Sequence, residues 1–359
     1  MDIPEPSHRL PSIKKNKATS TVGRGKTVQL TEKLAFSAWN NSSVSLSLGN
    51  SIEHYDSWEQ PIVIISDGGY GLLGFEGDTS DHLDLPEWYE PHVEAWSKLA
   101  LPNTTLWFWN SEIGWAVVHP ILEKFGWRYV NCNIWNKGIA GNVNTEKIRR
   151  FPVVTEVCVQ YVREVKIADL TLKEWLRKEW LRSGLPLRQA NLACGVADAA
   201  TRKYFDQGHL WYFPPPEMFE QLVFYANEHG NPEGKPYFSK NGQRPLTGKE
   251  WEKMRSKFNC PHGFTNVWDR SALRDDERIK SQDGKAVHLN QKPLDLMKLI
   301  IAASSEEQDV VWEPFGGLFS ASLAANILNR KAFACEIDET YFYYGVKRFS
   351  QVVHRKFWV

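Results

Sequence analysis

Val310-Val311-Trp312-Glu313-Pro314-Phe315-Gly316-Gly317 is an apolar run that drives straight into an acid, a proline and a pair of glycines. A short apolar run bounded by turn residues has the pattern of a buried parallel strand. A glycine turn between a strand and a helix lets backbone approach a ligand closely and aims helix N–H groups at it. Helical spacing follows over residues 320–328. The next strand, Ala332-Phe333-Ala334-Cys335-Glu336, ends in Ile337-Asp338. Glu336 therefore stands where a strand-end carboxylate can accept hydrogen bonds from both hydroxyls of a ribose. The GxGxxG spacing of a dehydrogenase is absent. The alternatives are a purely structural turn at the glycines and a surface acid at 336.

A second segment, far upstream, is built the same way. Ile64-Ile65-Ser66-Asp67-Gly68-Gly69-Tyr70-Gly71 is a strand ending in an acid, two glycines and an aromatic. An exocyclic amino group could donate to the Asp67 carboxylate and to the Gly68 carbonyl while Tyr70 stacks on its ring. Held so, the nitrogen lone pair is less delocalised, and positioning with electrostatics suffices for chemistry. A β-turn with a half-buried tyrosine is the alternative. Together the two segments point to transfer from an adenosine-bearing cofactor to a nucleobase.

Between them the pattern alternates. Strands are expected over residues 44–48, 61–65, 104–109, 129–135 and 153–161, and helices over 91–101 and 117–125. Strand–helix alternation predicts an α/β sheet, mainly parallel. After about residue 166 the reading turns helical: 172–181, a break at Gly184, 187–193, a turn at Cys194-Gly195-Val196, then 197–205. Two short helices around a glycine turn suit a helix-turn-helix, with plain helical packing as the alternative. Arg188, Gln189, Arg202 and Lys203 are its expected groove or phosphate contacts. A loop-rich basic stretch follows, with seven bases between Lys235 and Lys257, Lys240 and Arg244 among them, against Glu250 and Glu252. The α/β pattern returns near Val287, with a helix over 293–304.

Lysine plus arginine equals aspartate plus glutamate at 43 each, so overall charge predicts no polyanion partner and distribution matters more. Residues 1–34 are polar, basic and rich in Pro, Ser and Lys, which predicts a flexible basic arm. The five cysteines are scattered without a CxxC pair, against both a disulfide framework and a zinc cluster, and fit a reducing cytoplasm. No apolar run is long enough to span a membrane. The 16 tryptophans are expected chiefly in the core.

In this order the segments resemble the DNA amino-methyltransferases, in the arrangement (β-class) that puts the catalytic motif first and the cofactor motif last. Asp67-Gly68-Gly69-Tyr70 is similar to the family's (D/N/S)-P-P-(Y/F/W). His288-Leu289-Asn290-Gln291-Lys292-Pro293-Leu294 is similar to H-x-x-Q-K-P-L, and Glu313-Pro314-Phe315-Gly316-Gly317 to the start of D-P-F-x-G-S-G. Glu336-Ile337-Asp338 matches E-I-D, and Leu46-Ser47-Leu48-Gly49-Asn50-Ser51 resembles L-x-x-G-D-S. Residues 263–269 resemble a segment found before H-x-x-Q-K-P. The chain departs from the pattern in replacing both catalytic prolines by glycine, and in Glu313, Leu318, Phe319 and Asn50.

The resemblance implies a Rossmann-like S-adenosylmethionine-dependent methyltransferase sheet with an inserted, mainly helical target-recognition region. The parts would be a first catalytic portion over 35–166, the insertion over 167–284 and the cofactor portion over 285–359. It implies catalytic roles for Asp67, Gly68, Gly69 and Tyr70. It implies S-adenosylmethionine contacts for Asn50, Ser66, Asp67, His288, Gln291, Lys292, Pro293, Glu313, Pro314, Phe315, Gly316, Gly317, Glu336 and Ile337. Methyl transfer to a flipped base of double-stranded DNA is the expected activity. Adenine N6 is favoured, with cytosine N4 open because Ser66 precedes Asp67. A degenerate DNA-binding scaffold and an RNA or protein methyltransferase are the competing readings. A homodimer and a cognate restriction enzyme are left open as partners.

Overall fold

The computed structural model describes residues 37–72, 77–138, 151–197, 200–232 and 234–356. The expected basic arm, 1–34, lies outside the described residues. In chain order the elements are β1 (Ala38–Asn40), β2 (Val44–Leu48), β3 (Val63–Ser66), α1 (Leu85–Leu99), β4 (Thr105–Asn110), α2 (Glu112–Lys124), β5 (Trp127–Asn136) and β6 (Thr155–Arg163). Next come β7 (Lys166–Ile167), β8 (Leu170–Thr171), α3 (Leu172–Arg182), α4 (Gln189–Ala193), α5 (Pro216–His229), α6 (Gly248–Glu252) and β9 (Val267–Asp269). The last are α7 (Leu294–Ser304), β10 (Val310–Glu313), α8 (Ser320–Ile327), β11 (Lys331–Glu336) and α9 (Glu339–Lys356).

Among the described residues nine strands form one sheet in the order β1-β2-β11-β10-β3-β4-β6-β5-β9. The run from β2 to β4 is parallel throughout, and the antiparallel pairs are confined to β1 with β2 and to β6 with its two neighbours. Strand side chains alternate between two helical layers, as the period-2 pleat requires. Val63, Ile65, Trp107, Trp109 and Val311 pack with α7, α8 and α9. Ile64, Leu106, Phe108 and Trp312 pack with α1 and α2. Helices on both faces of a largely parallel sheet make a Rossmann-like three-layer fold.

Two helices begin earlier than their apolar spacing suggested. α1 starts at Leu85 rather than residue 91, because Pro86 takes the first-turn position where a missing N–H is harmless, and Pro91 lies inside it. α2 starts at Glu112, where Ser111 Oγ accepts from the Gly114 N–H at 3.1 Å and caps the first turn.

The inserted region has its own core, in which Phe213, Phe219 and Trp251 stack around Trp175 and Phe238. β9, which the expected boundaries put inside the insertion, is hydrogen-bonded to β5 at the sheet edge. Among the described residues the expected helix-turn-helix has no second α-helix; residues 198 and 199 lie outside them. The helix predicted over 197–205 is a 3-10 turn at Ala200–Tyr204, with Thr201 and Tyr204 buried.

Candidate active site

β3 and β10 are parallel neighbours, with Val311 opposite Val63 and Trp312 opposite Ile64. The Asp67 turn and the Glu313 turn, 246 positions apart in the chain, therefore leave the sheet side by side at the same edge. β11 and β2 flank them in the same direction. The four strand ends open onto one cleft of about 410 Å³ lined by residues from all the motifs, including Asn50, Asp67, Gly68, Gly69, Tyr70, Lys292, Phe315 and Glu336. Ligands of open α/β sheets bind at the carboxyl ends of their strands.

On one side of the cleft sits a buried charge network. Lys292 Nζ lies 2.7 Å from Asp67 Oδ1 and 3.3 Å from Glu156 Oε2, with the lysine side chain almost wholly enclosed. The Tyr70 hydroxyl donates to Asp67 at 2.9 Å and stands 3.4 Å from Glu156. Lys137 closes the chain onto Glu156 at 2.9 Å. Two carboxylates and two ammonium groups thus neutralise one another. Burial works against the Lys292 charge, but Asp67 and Glu156 hold it protonated above its usual range. Burial likewise raises the Asp67 carboxyl, with Lys292 pulling back. Burial also opposes ionisation of Glu156, yet Lys292 and Lys137 keep it below the usual range.

The Gly68-Gly69 backbone is held by side chains from elsewhere. Asn110 Nδ2, at the end of β4, donates to the Gly69 carbonyl at 2.9 Å, and the Tyr89 hydroxyl does so at 3.2 Å. The Asp78 carboxylate accepts from the N–H groups of Tyr70 and Gly71, each at 3.0 Å. Among the described residues the Gly68 carbonyl has no hydrogen-bond partner.

On the other side lies the glycine turn. Glu336 Oε2 accepts from the Gly317 N–H at 2.5 Å and Oε1 from the Asp338 N–H at 2.8 Å, and burial pushes its carboxyl up to about 7. Each oxygen keeps a lone pair free for a hydroxyl. Ile337 lines the cleft and is exposed, which leaves an apolar surface for a ring. Gly317 is left-handed at φ 51°. Phe319, where the resembled motif has glycine, is also left-handed at φ 54°. Its ring fills the space beside Gly316 and Gly345 and meets Phe342 edge-on, so packing holds a conformation that L residues disfavour. His288 lines the cleft beside Tyr341, and burial lowers its imidazole to about 4, so it is neutral.

Three residues expected at the cofactor also make or occupy scaffold contacts. Glu313 touches the cleft, but its carboxylate takes the N–H groups of Ala321 and Ser322 and the Ser322 hydroxyl, and so caps α8. Ser66 and Pro293 do not line the cleft: Ser66 is buried in β3, and Pro293 caps α7. Gln291 lines it while clamping the 277–279 loop, donating to the Glu277 carbonyl and accepting from the Ile279 N–H. Asn50 lines it with its Oδ1 already accepting from the Ile52 N–H. Glu156, Lys137, Asp78, Tyr89 and Asn110 escaped the sequence reading. Glu156 left one signal, an acid next to the apolar run Val157-Cys158-Val159 of β6.

The expected DNA contacts divide. Arg188 and Arg202 meet Arg177 around a second cleft in the inserted region. Lys203 lies over the Tyr212 ring at 4.2 Å, and Lys240 is exposed. Gln189 is half-buried and has a side-chain oxygen enclosed. Arg244 is paired at the surface, donating two hydrogen bonds of 2.8 and 2.6 Å to Glu250. Arg255 and Lys257 of the same basic stretch are paired as well, to Glu252 and Glu306. Among the described residues no cluster of His, Cys, Asp or Glu could hold a metal ion, and no helix is long and apolar enough to cross a membrane.

The three-layer α/β fold brings the glycine turn after β10 and the acid–glycine–aromatic turn after β3 to one cleft. The chain belongs to the DNA methylase family, whose profile matches residues 55–347. It is 36% identical over 147 residues to DNA adenine methyltransferase YhdJ of Escherichia coli K12, covering 38% of this chain and 46% of that one. It is 34% identical over 100 residues to Type II methyltransferase M.HinfI of Haemophilus influenzae, covering 28% of each chain. The chain thus spans less than half the length of these relatives. Among solved structures, the M1.HpyAVI–SAM complex aligns at TM-score 0.47 and 17% identity over 85% of this chain and 99% of that one.

Proposed function

We propose that this protein transfers a methyl group from S-adenosylmethionine to the exocyclic amino group of a base in double-stranded DNA, with adenine N6 as the target and cytosine N4 as the alternative. The observation that carries it is the convergence of the Asp67 turn and the Glu336 strand end on one cleft. The cleft fits the cofactor: Glu336 has lone pairs for ribose hydroxyls, Ile337 offers an apolar surface, and the glycine turn leaves backbone close to the ligand. Bound there, S-adenosylmethionine supplies a methyl group made electrophilic by its sulfonium.

The protein's own part is positional. Asp67 and the Gly68 carbonyl accept the two amino hydrogens, which turns the nitrogen lone pair along the cleft. With the methyl supplied in this way, the Asp67 carboxylate would accept the proton that the amino nitrogen gives up. For Asp67 to receive the base, Tyr70 must release it and stack, and Glu156 is the acceptor within its reach. A base within a stacked duplex cannot enter the cleft, so the target is extruded. Aspartate at 67 supports adenine, as does the likeness to a relative named as an adenine methyltransferase. The inserted region supplies the DNA contacts, Arg188 and Arg202 first.

Expression in a methylation-free host, followed by single-base sequencing of modified DNA, tests this. N6-methyladenine in one sequence context is expected, and Asp67→Ala abolishes it while cofactor affinity stays nearly intact. Cofactor binding with no modified base on any DNA would instead leave a degenerate DNA-binding scaffold.

A further inference from the structure

Both glycines of the catalytic turn are enforced by what surrounds them. A Cβ built on Gly68 would lie 2.6 Å from two carbons of the Phe315 ring and 2.8 Å from the Tyr89 hydroxyl. One built on Gly69 would lie 2.7 Å from Asp78 Oδ1. No side chain fits at either position without movement of these groups. The rigidity that prolines would give such a turn must then come from outside it.

Asp78 is placed to supply it. Its Oδ2 accepts from the Tyr70 N–H at 3.0 Å and stands 3.4 Å from that of Leu72, while Oδ1 accepts from Gly71 at 3.0 Å and Thr79 at 2.7 Å. Among the described residues this carboxylate has no ion-pair partner, so backbone amides alone satisfy it. Charge-assisted bonds to successive amides are the strong kind, and they fix the peptide planes directly after the two glycines. Gly71, left-handed at φ 69°, closes the turn where a Cβ would strike the His82 backbone at 2.5 Å.

We propose that Asp78 is a positioning residue, which holds the Asp67 carboxylate and the Gly68 carbonyl in the arrangement that receives the amino group. Gly68-Gly69 is then the form of the turn this clamp requires, rather than a mark of lost activity. The inference rests on the methyl-transfer reading.

The test is a cycle of Asp78→Ala, Gly69→Ala and the double variant, with Asp78→Asn as the milder change, all in the full chain. Steady-state methyl transfer to DNA, cofactor affinity by calorimetry, and hydrogen exchange over residues 66–72 are read together. Asp78→Ala should lower kcat about 100-fold with the cofactor Kd unchanged within about threefold, as expected when a reacting group is misplaced. Asp78→Asn, retaining one acceptor oxygen, should fall between. Gly69→Ala should impair the parent enzyme yet add less than about threefold in the Asp78→Ala background, because its clash partner is gone. The 66–72 amides should exchange at least about tenfold faster without Asp78. Unchanged kcat and exchange in Asp78→Ala, or strict additivity of the two substitutions, would overturn the clamp. Accelerated exchange in Asp78→Ala, where the parent protein transfers no methyl, would uphold the clamp and sink the methyl-transfer reading alone.

Discussion

At the residue scale, Glu336 and Lys292 carry the sharpest expectations. With its carboxyl raised to about 7, Glu336 is partly protonated at neutral pH in the free protein. Only the ionised form accepts a hydroxyl at every lone pair, so S-adenosylmethionine affinity should fall as pH drops from 8 to 6. Glu336→Gln should bind more weakly at pH 8 and lose most of that pH dependence, which calorimetry at several pH values would show. Lys292 is enclosed between Asp67 and Glu156. Lys292→Met leaves two carboxylates facing each other, and breaking such a buried arrangement should destabilise the fold by about 3–5 kcal/mol. Denaturant unfolding would measure it, and transfer should be lost in the fraction that stays folded.

At the element scale, α8 depends on a carboxylate from a neighbouring strand. Glu313 caps the first turn of α8 from the end of β10, and burial pushes its carboxyl up to about 7, with Ser322 and two backbone N–H groups pulling the other way. A raised folded pKa means that folding takes up a proton, so this contribution is complete below the unfolded value near 4.5 and is lost as pH rises through about 7. The unfolding free energy should therefore be lower at pH 8 than at pH 5, by at most about 3 kcal/mol from this group. Glu313→Gln should flatten that part of the profile in chemical denaturation. The strand-to-turn segments were legible at this scale because buried parallel strands are unbroken apolar runs. The 197–205 helix was misread because its spacing does not reveal that Thr201 and Tyr204 turn inward to the insertion's core.

At the scale of the whole molecule, net charge is zero and local pairing decides which bases can meet a polyanion. Arg188 and Arg202 border an open cleft, whereas Arg244 is held by Glu250. Replacing Arg188 and Arg202 together by alanine should therefore reduce the slope of log K against log salt by about 2. Arg244→Ala should leave that slope unchanged. Fluorescence titration of duplex DNA across a salt series distinguishes the two, and an Arg244→Ala slope that drops would contradict the pairing.

Local chemistry alone decided much about this protein. The strand ends, the glycine turns, the acids at 67 and 336 and the order of the segments are all written in short stretches, because apolar runs and turn residues act over a few neighbours. What only the folded chain decided is who stands beside whom. Glu156 and Lys137 joined Lys292, Asp78 and Asn110 took hold of the Gly68-Gly69 turn, and β9 returned to the sheet. Glu313 reached over to cap α8, and Arg244 paired with Glu250. These outcomes depend on strands distant in sequence lying 4–5 Å apart in the sheet, a proximity that no local pattern encodes.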